Sequence, residues 1–344
     1  MYKVGLIGAL GVKNIPNGGQ EIKTAVIASE IALRVGNDVF MKINTQGKFF
    51  HIKLPFILLS LLVLCKNIVL LPGQNGLKIF GPFFALFNIF FRRKIHYVVV
   101  GGWLPDFIEQ YQRLFKFIKK FDGVYVETSI MKNRLNKIGL QNVFVMPNFK
   151  NLTVLRKEQL KKNDCPPFKF CTFSRLTKDK GIEIAVDAIK TVNRKLGNVC
   201  ELDIYGRIEE SNAKWFNSLM DNFPYFINYK GWIEYDKSVD VLKDYYALLF
   251  PTYYDGEGFA GTLLDAFAAG VPVIASDWHY NAELVENGVT GLICKVRDTN
   301  DLAEKILFAI EHKKEWFQYK ENCIEKANEF IPSNVIKTLL SRLG

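Results

Sequence analysis

The sequence predicts an α/β protein with two doubly wound, Rossmann-like domains that face a cleft. The first observation is an alternation of apolar runs and amphipathic segments, which fills residues 1–147 and starts again at residue 168. The second is the stretch between the two halves, residues 148–167, which is polar and contains Pro166 and Pro167, as is typical of an interdomain linker. The 344 residues are enough for two domains of ordinary size.

The first half carries about six strand–helix units. An apolar strand at residues 3–7 leads into a glycine-rich loop that ends with Gly18 and Gly19, and a helical pattern covers residues 21–34. A strand, a glycine-rich loop and a helix start can together cradle a phosphate. Standing alone, however, such a loop is more often a plain turn.

Two strongly apolar runs follow, at residues 52–65 and 83–91. Their uninterrupted lengths are well below the roughly 20 residues that span a bilayer. We therefore expect core or interfacial segments here, and core is the commoner outcome for a domain of this size. A helix is expected at residues 106–120, with aromatic and aliphatic side chains on one side.

The second half repeats the alternation. Strands are expected at 168–173, 200–205, 226–229, 247–250 and 271–275, and helices at 181–195, 213–220, 239–245, 261–269, 298–311, 314–328 and 333–343. The alternation predicts a second doubly wound parallel sheet.

The most informative stretch is residues 249–292. Its loop holds Glu257 and leads directly into the helix expected at 261–269, whose start offers free N–H groups and partial positive charge to a phosphate. Glu257 and Asp265 are separated by up to ~12 Å if the interval is helical. That span suits a nucleotide sugar, with a hexose at one end, a ribose at the other and a pyrophosphate between.

A second motif covers residues 174–181, after one predicted strand and before a helix. It places Arg175 and Lys180 where the carboxyl ends of parallel strands meet a ligand. Arginine offers a planar fork to phosphate oxygens and lysine a point charge. On its own, the motif would also fit a basic helix entry on the surface.

Together these residues resemble the retaining glycosyltransferases of the GT-B fold, family 4-like and of the bacterial surface-polysaccharide type. The signature of that family is Glu, seven residues, Glu, and this chain has Glu257 and the shorter Asp265. The segments GVPVIAS and NGVTGL also match. The chain departs from the pattern in two further places: Ser174 replaces a glycine, and Gly101–Gly102–Trp103 stand where many members carry a histidine.

The resemblance implies the domains. Residues 1–155 would form the N-terminal, acceptor-side domain, and residues 165–331 the nucleotide-sugar-binding domain. The C-terminal helix, 332–344, would cross back to the first domain.

The resemblance also implies the donor site. Glu257 would hold hydroxyls of the donor sugar, and Asp265 the ribose. Arg175 and Lys180 would bind the pyrophosphate and serve catalysis with Glu257. The backbone is expected to contribute at Gly258, Phe259, Ala260, Thr262 and Leu263, while Gly18 and Gly19 would close the site from the first domain. The expected co-substrate is a nucleotide-diphosphate sugar, with a UDP-sugar favoured; no covalently bound cofactor and no metal are implied.

The acceptor side has less support in the sequence. Trp103 could stack on a sugar face, although a buried aromatic fits as well, and Asp106 is the nearest carboxylate. In the resembled family many acceptors are saccharides linked to polyprenyl diphosphate, and such an acceptor is expected here.

Charge is distributed unevenly along the chain. Residues 1–160 hold 22 Lys/Arg and 8 Asp/Glu, a net charge of +14, whereas residues 161–344 hold 23 and 27, a net charge of −4. A basic half favours an anionic partner such as a membrane surface, although a merely solvated basic face remains an alternative. The candidate membrane contacts are Arg92, Arg93, Lys94, Lys116, Lys119 and Lys120.

The compartment follows from these features and from the cysteines. Six cysteines without a CxxC pair indicate free thiols in a reducing compartment, and the amino-terminal apolar run is too short for a signal peptide. We therefore expect a cytoplasmic protein, peripheral on the inner face of the cell membrane, with no nucleic-acid partner.

Two other functions remain open at this point. A nucleotide-sugar 2-epimerase of the same fold would need an acid/base set that the sequence does not identify. A non-catalytic basic membrane binder would leave Glu257, Asp265 and the Arg175/Lys180 spacing without a purpose.

Overall fold

The computed structural model describes residues 1–12, 18–46 and 50–343 and divides the chain into two compact units. Unit 1 comprises Met1–Asn151 and Phe330–Gly344, and unit 2 comprises Leu152–Glu329. Within the described residues, each unit contains a six-stranded parallel sheet flanked by helices. The predicted α/β class with two doubly wound sheets is confirmed.

Unit 1 alternates strands and helices from its first residue. Its strands are β1 (Tyr2–Gly8), β2 (Phe40–Asn44), β3 (Cys65–Leu71), β4 (Lys94–Val98), β5 (Gly123–Val126) and β6 (Val143–Val145), and its helices are α1 (Gly19–Val35), α2 (Phe50–Leu64), α3 (Gln74–Phe91), α4 (Leu104–Gln110), α5 (Gln112–Ile118) and α6 (Ser129–Lys137). The strand order is β2-β1-β3-β4-β5-β6. The order reverses at β1, and ligand crevices form at such a switch point.

The apolar run at 52–65 forms α2, and the run at 83–91 forms the second half of α3. Within the part of the chain that the structure describes, no helix is both long and apolar enough to cross a membrane.

The single helix expected at 106–120 is wrong, because the chain breaks at Tyr111 into α4 and α5. Tyr111 has φ −115° and ψ 65°, its ring packs 4.7 Å from that of Phe107, and the ammonium of Lys78 lies over it at 4.1 Å. The contact with Lys78 comes from α3, so a pattern within residues 106–120 cannot show it.

Unit 2 repeats the plan. Its strands are β7 (Phe168–Phe173), β8 (Cys200–Tyr205), β9 (Ile227–Gly231), β10 (Ala247–Phe250), β11 (Val273–Ser276) and β12 (Gly291–Cys294), and its helices are α7 (Ile182–Leu196), α8 (Ala213–Met220), α9 (Ser238–Leu242), α10 (Gly261–Ala268), α11 (Asn281–Leu284), α12 (Thr299–Glu311) and α13 (Lys313–Glu329). The strand order is β12-β11-β10-β7-β8-β9. β7 and β10 are therefore neighbours, although 73 residues separate the end of one from the start of the other.

The stretch between the two sheets is bound to unit 2. Leu155 N–H donates to Ala268 O at 2.9 Å, and Lys161 pairs with Asp244. The boundary between the units falls between Asn151 and Leu152, near the start of the proline-containing stretch.

The C-terminal segment returns to unit 1. It forms two short helices, α14 (Pro332–Val335) and α15 (Lys337–Leu340), where one helix was expected. They join at Ile336, which is fully buried and whose ψ of −13° tightens the turn. Ile336 and Leu339 lie in the core formed by α1 and strands of the first sheet, so this segment completes unit 1.

Candidate functional site

Neighbouring strands of unit 2 bring the two sequence motifs together. The loop after β7 carries Arg175 and Lys180, and the loop after β10 carries Glu257. Because the strands are parallel and adjacent, their loops leave the same edge of the sheet. The loops are joined directly: Tyr253 N–H donates to Asp179 O at 2.7 Å.

A buried ion pair lies at the centre of this junction. Lys180 Nζ donates to Glu257 Oε2 at 2.6 Å, and each side chain is only 8% exposed. Thr252 Oγ1 donates to the same carboxylate oxygen at 2.9 Å. Removing one partner of a buried ion pair leaves the other charge buried without a counter-charge. This typically lowers the free energy of unfolding by about 3–5 kcal/mol. Lys180 and Glu257 therefore support each other where the motifs meet.

Gly181 permits the close approach of the two loops. Its φ of 73° lies in the left-handed region, and a Cβ atom added there would sit 2.1 Å from Pro251 O. A side chain at this position would therefore force the loop after β7 away from the loop after β10.

Tyr254 contacts both cations of the site. The guanidinium of Arg175 lies 5.3 Å from the centre of its ring, and Lys180 Nζ lies 4.5 Å from it. Trp278 Nε1 donates to Tyr254 O at 2.9 Å, which holds the tyrosine backbone in place. Cations over an aromatic face are attracted to it, so Tyr254 helps to position Arg175 and Lys180.

Arg175 is more open than Lys180. Its side chain is 53% exposed, and its Nη1 lies 3.2 Å from Glu209 Oε1. An exposed pair of this kind contributes about 0–1 kcal/mol to stability. Arg175 is thus free to exchange Glu209 for an anionic ligand at little cost to the fold.

The loop after β10 ends at the start of α10. Gly258 and Phe259 are buried, and Ala260 is the residue before the helix. Leu263 N–H already donates to Ala260 O at 3.1 Å. The hydroxyl Oγ1 of Thr262, in the first turn, is buried and has no hydrogen-bond partner among the described residues. A buried hydroxyl of this kind calls for a partner from a ligand or solvent.

Asp265 lies one turn further along α10. It is 2% exposed, and it accepts a hydrogen bond from Ser238 Oγ, at the start of α9, at 2.9 Å. The structure therefore buries Asp265, with one carboxylate oxygen already bonded to Ser238.

The remaining expected site residues belong to unit 1. Gly18 and Gly19 are exposed at the start of α1, and residues 13–17 of the same loop lie outside the described residues. Trp103 Nε1 donates to Val100 O at 2.9 Å, and its ring packs edge-on against Phe107. Asp106 forms an ion pair with Arg134. Trp103 and Asp106 thus have partners within unit 1.

The basic residues of unit 1 are not equivalent. Arg92, Lys94 and the lysines at 116, 119 and 120 are exposed. Arg93 is half-buried, with Nε donating to Leu62 O at 2.7 Å and Nη2 to Val63 O at 3.4 Å. Its charge caps the carboxyl end of α2, where a cation is favourable.

Sequence reasoning missed four residues of this arrangement: Thr252, Tyr254, Ser238 and Glu209. Each acts through a residue that the motifs did identify. Tyr254 lies in the same loop as Glu257, so the sequence failed to show only its contact with the two cations. Ser238 and Glu209 follow other strands, and no local signal connects them with the motifs.

The site combines three chemical capacities at one sheet edge. Arg175 and Lys180 can bind an anion, and the hydroxyl of Thr262 adds a polar group at a helix start. The carboxylates of Glu257 and Asp265 can accept hydrogen bonds from hydroxyls.

Unit 2, which carries these residues, matches a known family. The model of the family described as "Glycosyl transferases group 1" matches residues 155–330, which is half of the chain and nearly all of unit 2.

Individual relatives match over parts of their length. An uncharacterized glycosyltransferase of Methanocaldococcus jannaschii is 25% identical over 61% of this chain and 55% of its own length. The capsular polysaccharide biosynthesis glycosyltransferase CapM of Staphylococcus aureus is 31% identical over 38% of this chain and 34% of its own. The N,N'-diacetylbacillosaminyl-diphospho-undecaprenol alpha-1,3-N-acetylgalactosaminyltransferase of Campylobacter jejuni is 30% identical over 29% of each. The chain spans about half the length of the archaeal relatives that it matches.

Among solved structures, HepE of Anabaena in complex with UDP has a TM-score of 0.77. The alignment covers 100% of this chain and 99% of that one at 16% sequence identity. The same protein has also been solved with UDP-glucose, with a TM-score of 0.75. This likeness establishes that the two chains share a fold.

Proposed function

Because the chain belongs to the group 1 glycosyl transferases, we propose that it is a retaining glycosyltransferase that uses a nucleotide-diphosphate sugar. The observation that carries this is the Lys180–Glu257 pair, 2.6 Å apart beside the start of α10. The Lys180 ammonium can bind a phosphate, and the Glu257 carboxylate beside it can accept hydrogen bonds from hydroxyls of the attached sugar. The exposed Arg175 adds a second contact for the diphosphate.

In the proposed complex the pair separates. Lys180 turns to the diphosphate together with Arg175, and Glu257 accepts hydrogen bonds from hydroxyls of the donor sugar. The hydroxyl of Thr262 and the backbone N–H groups of residues 258–260 complete this pocket. Asp265, next to Ser238, holds the ribose.

The proposed reaction keeps the configuration at the sugar carbon C1. The bond between C1 and the diphosphate oxygen breaks, and the acceptor oxygen bonds to C1 from the same face. The acceptor proton passes to the phosphate oxygen that leaves. Arg175, Lys180 and the start of α10 stabilise the negative charge that develops on the leaving nucleotide, which is the dominant kind of catalysis in such sites.

For the donor we propose a UDP-sugar, in keeping with the UDP and UDP-glucose bound by HepE. For the acceptor we propose a saccharide linked to polyprenyl diphosphate, in the synthesis of a capsule or another surface polysaccharide. The names of the Campylobacter and Staphylococcus relatives support this choice. Trp103 and Asp106 are retained as candidate acceptor contacts, and the enzyme would act at the cytoplasmic face of the membrane.

The test is incubation with radiolabelled UDP-sugars and a bacterial lipid extract. Transfer of label to lipid, with the anomeric configuration of the donor retained, is the expected result. Interconversion of the donor sugar would instead reveal a 2-epimerase, and binding without turnover would reveal a non-catalytic protein.

A pair of variants ties the activity to the site. Arg175→Ala should lower turnover at least ~10-fold, because a charge-assisted hydrogen bond to the diphosphate is worth about 1.5–3 kcal/mol. Lys178→Ala removes an equal charge from an exposed neighbour and is the matched control. Equal activity of the two variants would exclude Arg175 from the reaction.

A further inference from the structure

Unit 1 carries an apolar surface that its own core does not use. On α2 the exposed fractions are 75% for Ile52, 76% for Phe56, 42% for Leu59 and 46% for Val63. These residues follow the spacing i, i+4, i+7, i+11, so they form one stripe along the helix.

Helix α3 lies against α2 and has a second exposed stripe. Its most exposed apolar residues are Phe90 and Ile89, at 81% and 63%. The stripe is completed by Ile79, Leu86 and Phe87. We call the two stripes together the outer α2–α3 face.

The outer face is distinct from the side that packs on the sheet. Helix α2 buries Leu54, Leu58 and Leu61, and α3 buries Phe80 and Phe84. The core requirement of both helices is therefore met by other residues. Single exposed apolar side chains are common, but a contiguous set on two adjacent helices marks a surface that is covered in use.

The charged residues of α2, α3 and the segments just after them are all basic. Residues 39–105 include no Asp or Glu. Lys53 is exposed near the start of α2, Lys66 is exposed just past its end, and Arg92 and Lys94 are exposed just past the end of α3. Lysines therefore lie near both ends of α2.

Two of the next three carboxylates along the chain are engaged by another residue. Asp106 and Glu109 both form ion pairs with Arg134 on α6. Asp122 accepts a hydrogen bond from Ile95 N–H at 2.8 Å. Asp106 and Glu109 are thus engaged by Arg134, whereas Asp122 lies next to Lys94 and offsets part of its charge.

We propose that the outer α2–α3 face inserts into the headgroup region of an anionic bilayer, with Lys53, Lys66, Arg92 and Lys94 contacting lipid phosphates. An apolar face rimmed by exposed cations matches such a surface in both polarity and charge. This deepens the proposed function, on which it rests for its choice of a membrane-borne acceptor. Arg93 takes no part, since its guanidinium caps α2.

Two effects would contribute to membrane binding: burial of apolar side chains in the lipid and attraction between basic side chains and lipid phosphates. Phe56 and Phe90 would enter the lipid, and each basic residue near an anionic surface would strengthen binding several-fold. Binding should therefore depend on both parts: it weakens as salt rises, and it weakens again when an aromatic ring is removed at constant charge.

The test is sedimentation of the full chain with phosphatidylcholine vesicles, made with and without phosphatidylglycerol. Binding is expected with the anionic lipid and should be much weaker without it. Phe56→Ser and Phe90→Ser should each lower the vesicle partition coefficient about 10-fold. Leu33→Ser is the matched control, because Leu33 is 82% exposed on α1, outside the outer α2–α3 face.

The charge part is tested by the double variant Arg92→Ser/Lys94→Ser, which leaves the cap at Arg93 intact. It should reduce binding to anionic vesicles and remove most of the salt dependence. Circular dichroism checks that each variant is folded.

Three results would overturn the proposal: no sedimentation at low salt, equal loss in Leu33→Ser and Phe90→Ser, or self-association abolished by Phe56→Ser without vesicle binding. The last would assign the face to a second copy of the chain. Vesicle binding needs no turnover, and hydrolysis of the labelled UDP-sugar can be followed without a membrane. Failure of membrane binding is therefore distinguishable from failure of the proposed activity.

Discussion

Lys180 Nζ lies 2.6 Å from Glu257 Oε2, and this contact joins two loops whose residues are 77 positions apart in the chain. Both side chains are largely buried, and Thr252 donates a further hydrogen bond to the carboxylate. The candidate donor site is therefore also a stabilising element of unit 2. Its residues can be examined through folding as well as through activity.

The first prediction concerns the coupling of this pair. Glu257→Gln should lower the free energy of unfolding by about 3–5 kcal/mol, because Lys180 is left buried without its counter-charge. Lys180→Met with Glu257→Gln should recover a large part of that loss. Urea denaturation of both single variants and the double variant measures the coupling. Additive losses would mean that the two charges do not interact in solution.

The second prediction concerns Asp265. Asp265→Ala should weaken UDP binding and raise the donor KM, because a ribose contact is made in both the ground state and the transition state. Ser238→Ala is the matched variant, since it removes the hydroxyl that donates to Asp265 but keeps the carboxylate. Titration calorimetry with UDP should reveal a larger loss for Asp265→Ala. An unchanged affinity in that variant would exclude the ribose role.

The third prediction compares two glycines of left-handed conformation at opposite ends of α7. Gly181 has φ 73°, and an added Cβ atom would lie 2.1 Å from Pro251 O. Gly197 has φ 82°, and an added Cβ atom there would meet no neighbouring atom within 4 Å. Gly197→Ala should cost only the backbone strain of about 1–2 kcal/mol. Gly181→Ala should cost clearly more and should also reduce UDP binding. Thermal unfolding with and without UDP measures both effects, and equal shifts in Tm would contradict the close approach.

The fourth prediction concerns pH and unit 1. His96 is 1% exposed, its Nδ1 lies 3.0 Å from the Tyr125 hydroxyl, and burial lowers its pKa from 6.5 to about 4. Between these values the unfolded chain binds a proton that the folded chain does not, so stability falls as the pH is lowered. The full loss is about 3 kcal/mol.

His96→Gln should flatten this pH dependence, while His312→Gln, at an exposed position, should leave it unchanged. Urea denaturation from neutral pH down to about 4.5 provides the comparison. If the wild-type and His96→Gln slopes agree, another group controls the acid sensitivity.

Much of the fold follows from periodicity in the sequence. Strands such as β7 and β10 are short apolar runs, and α7 and α10 follow them with helical spacing, so element type and order could be predicted locally. The glycine-rich loops and the spacing of Glu257 and Asp265 also indicated the candidate site. These features depend on neighbours within a few residues, which a sequence displays directly.

Breaks in helices were not predictable in this way. Tyr111 lies within an unbroken helical pattern, yet its contacts with Phe107 and Lys78 accompany a division into α4 and α5. The contact with Lys78 depends on how α3 packs against this region, which no segment encodes by itself. Arg93 is a similar case, because its bonds to Leu62 O and Val63 O depend on the end of another helix.

The sequence by itself thus determined the two α/β halves, the family resemblance and the main candidate residues: Arg175, Lys180, Glu257 and Asp265. Only the tertiary structure decided how these residues pair. Lys180 joins Glu257, Arg175 joins Glu209 and Ser238 joins Asp265. The physical reason is the strand order, since parallel strands bring loops that are far apart in the chain to one edge of a sheet.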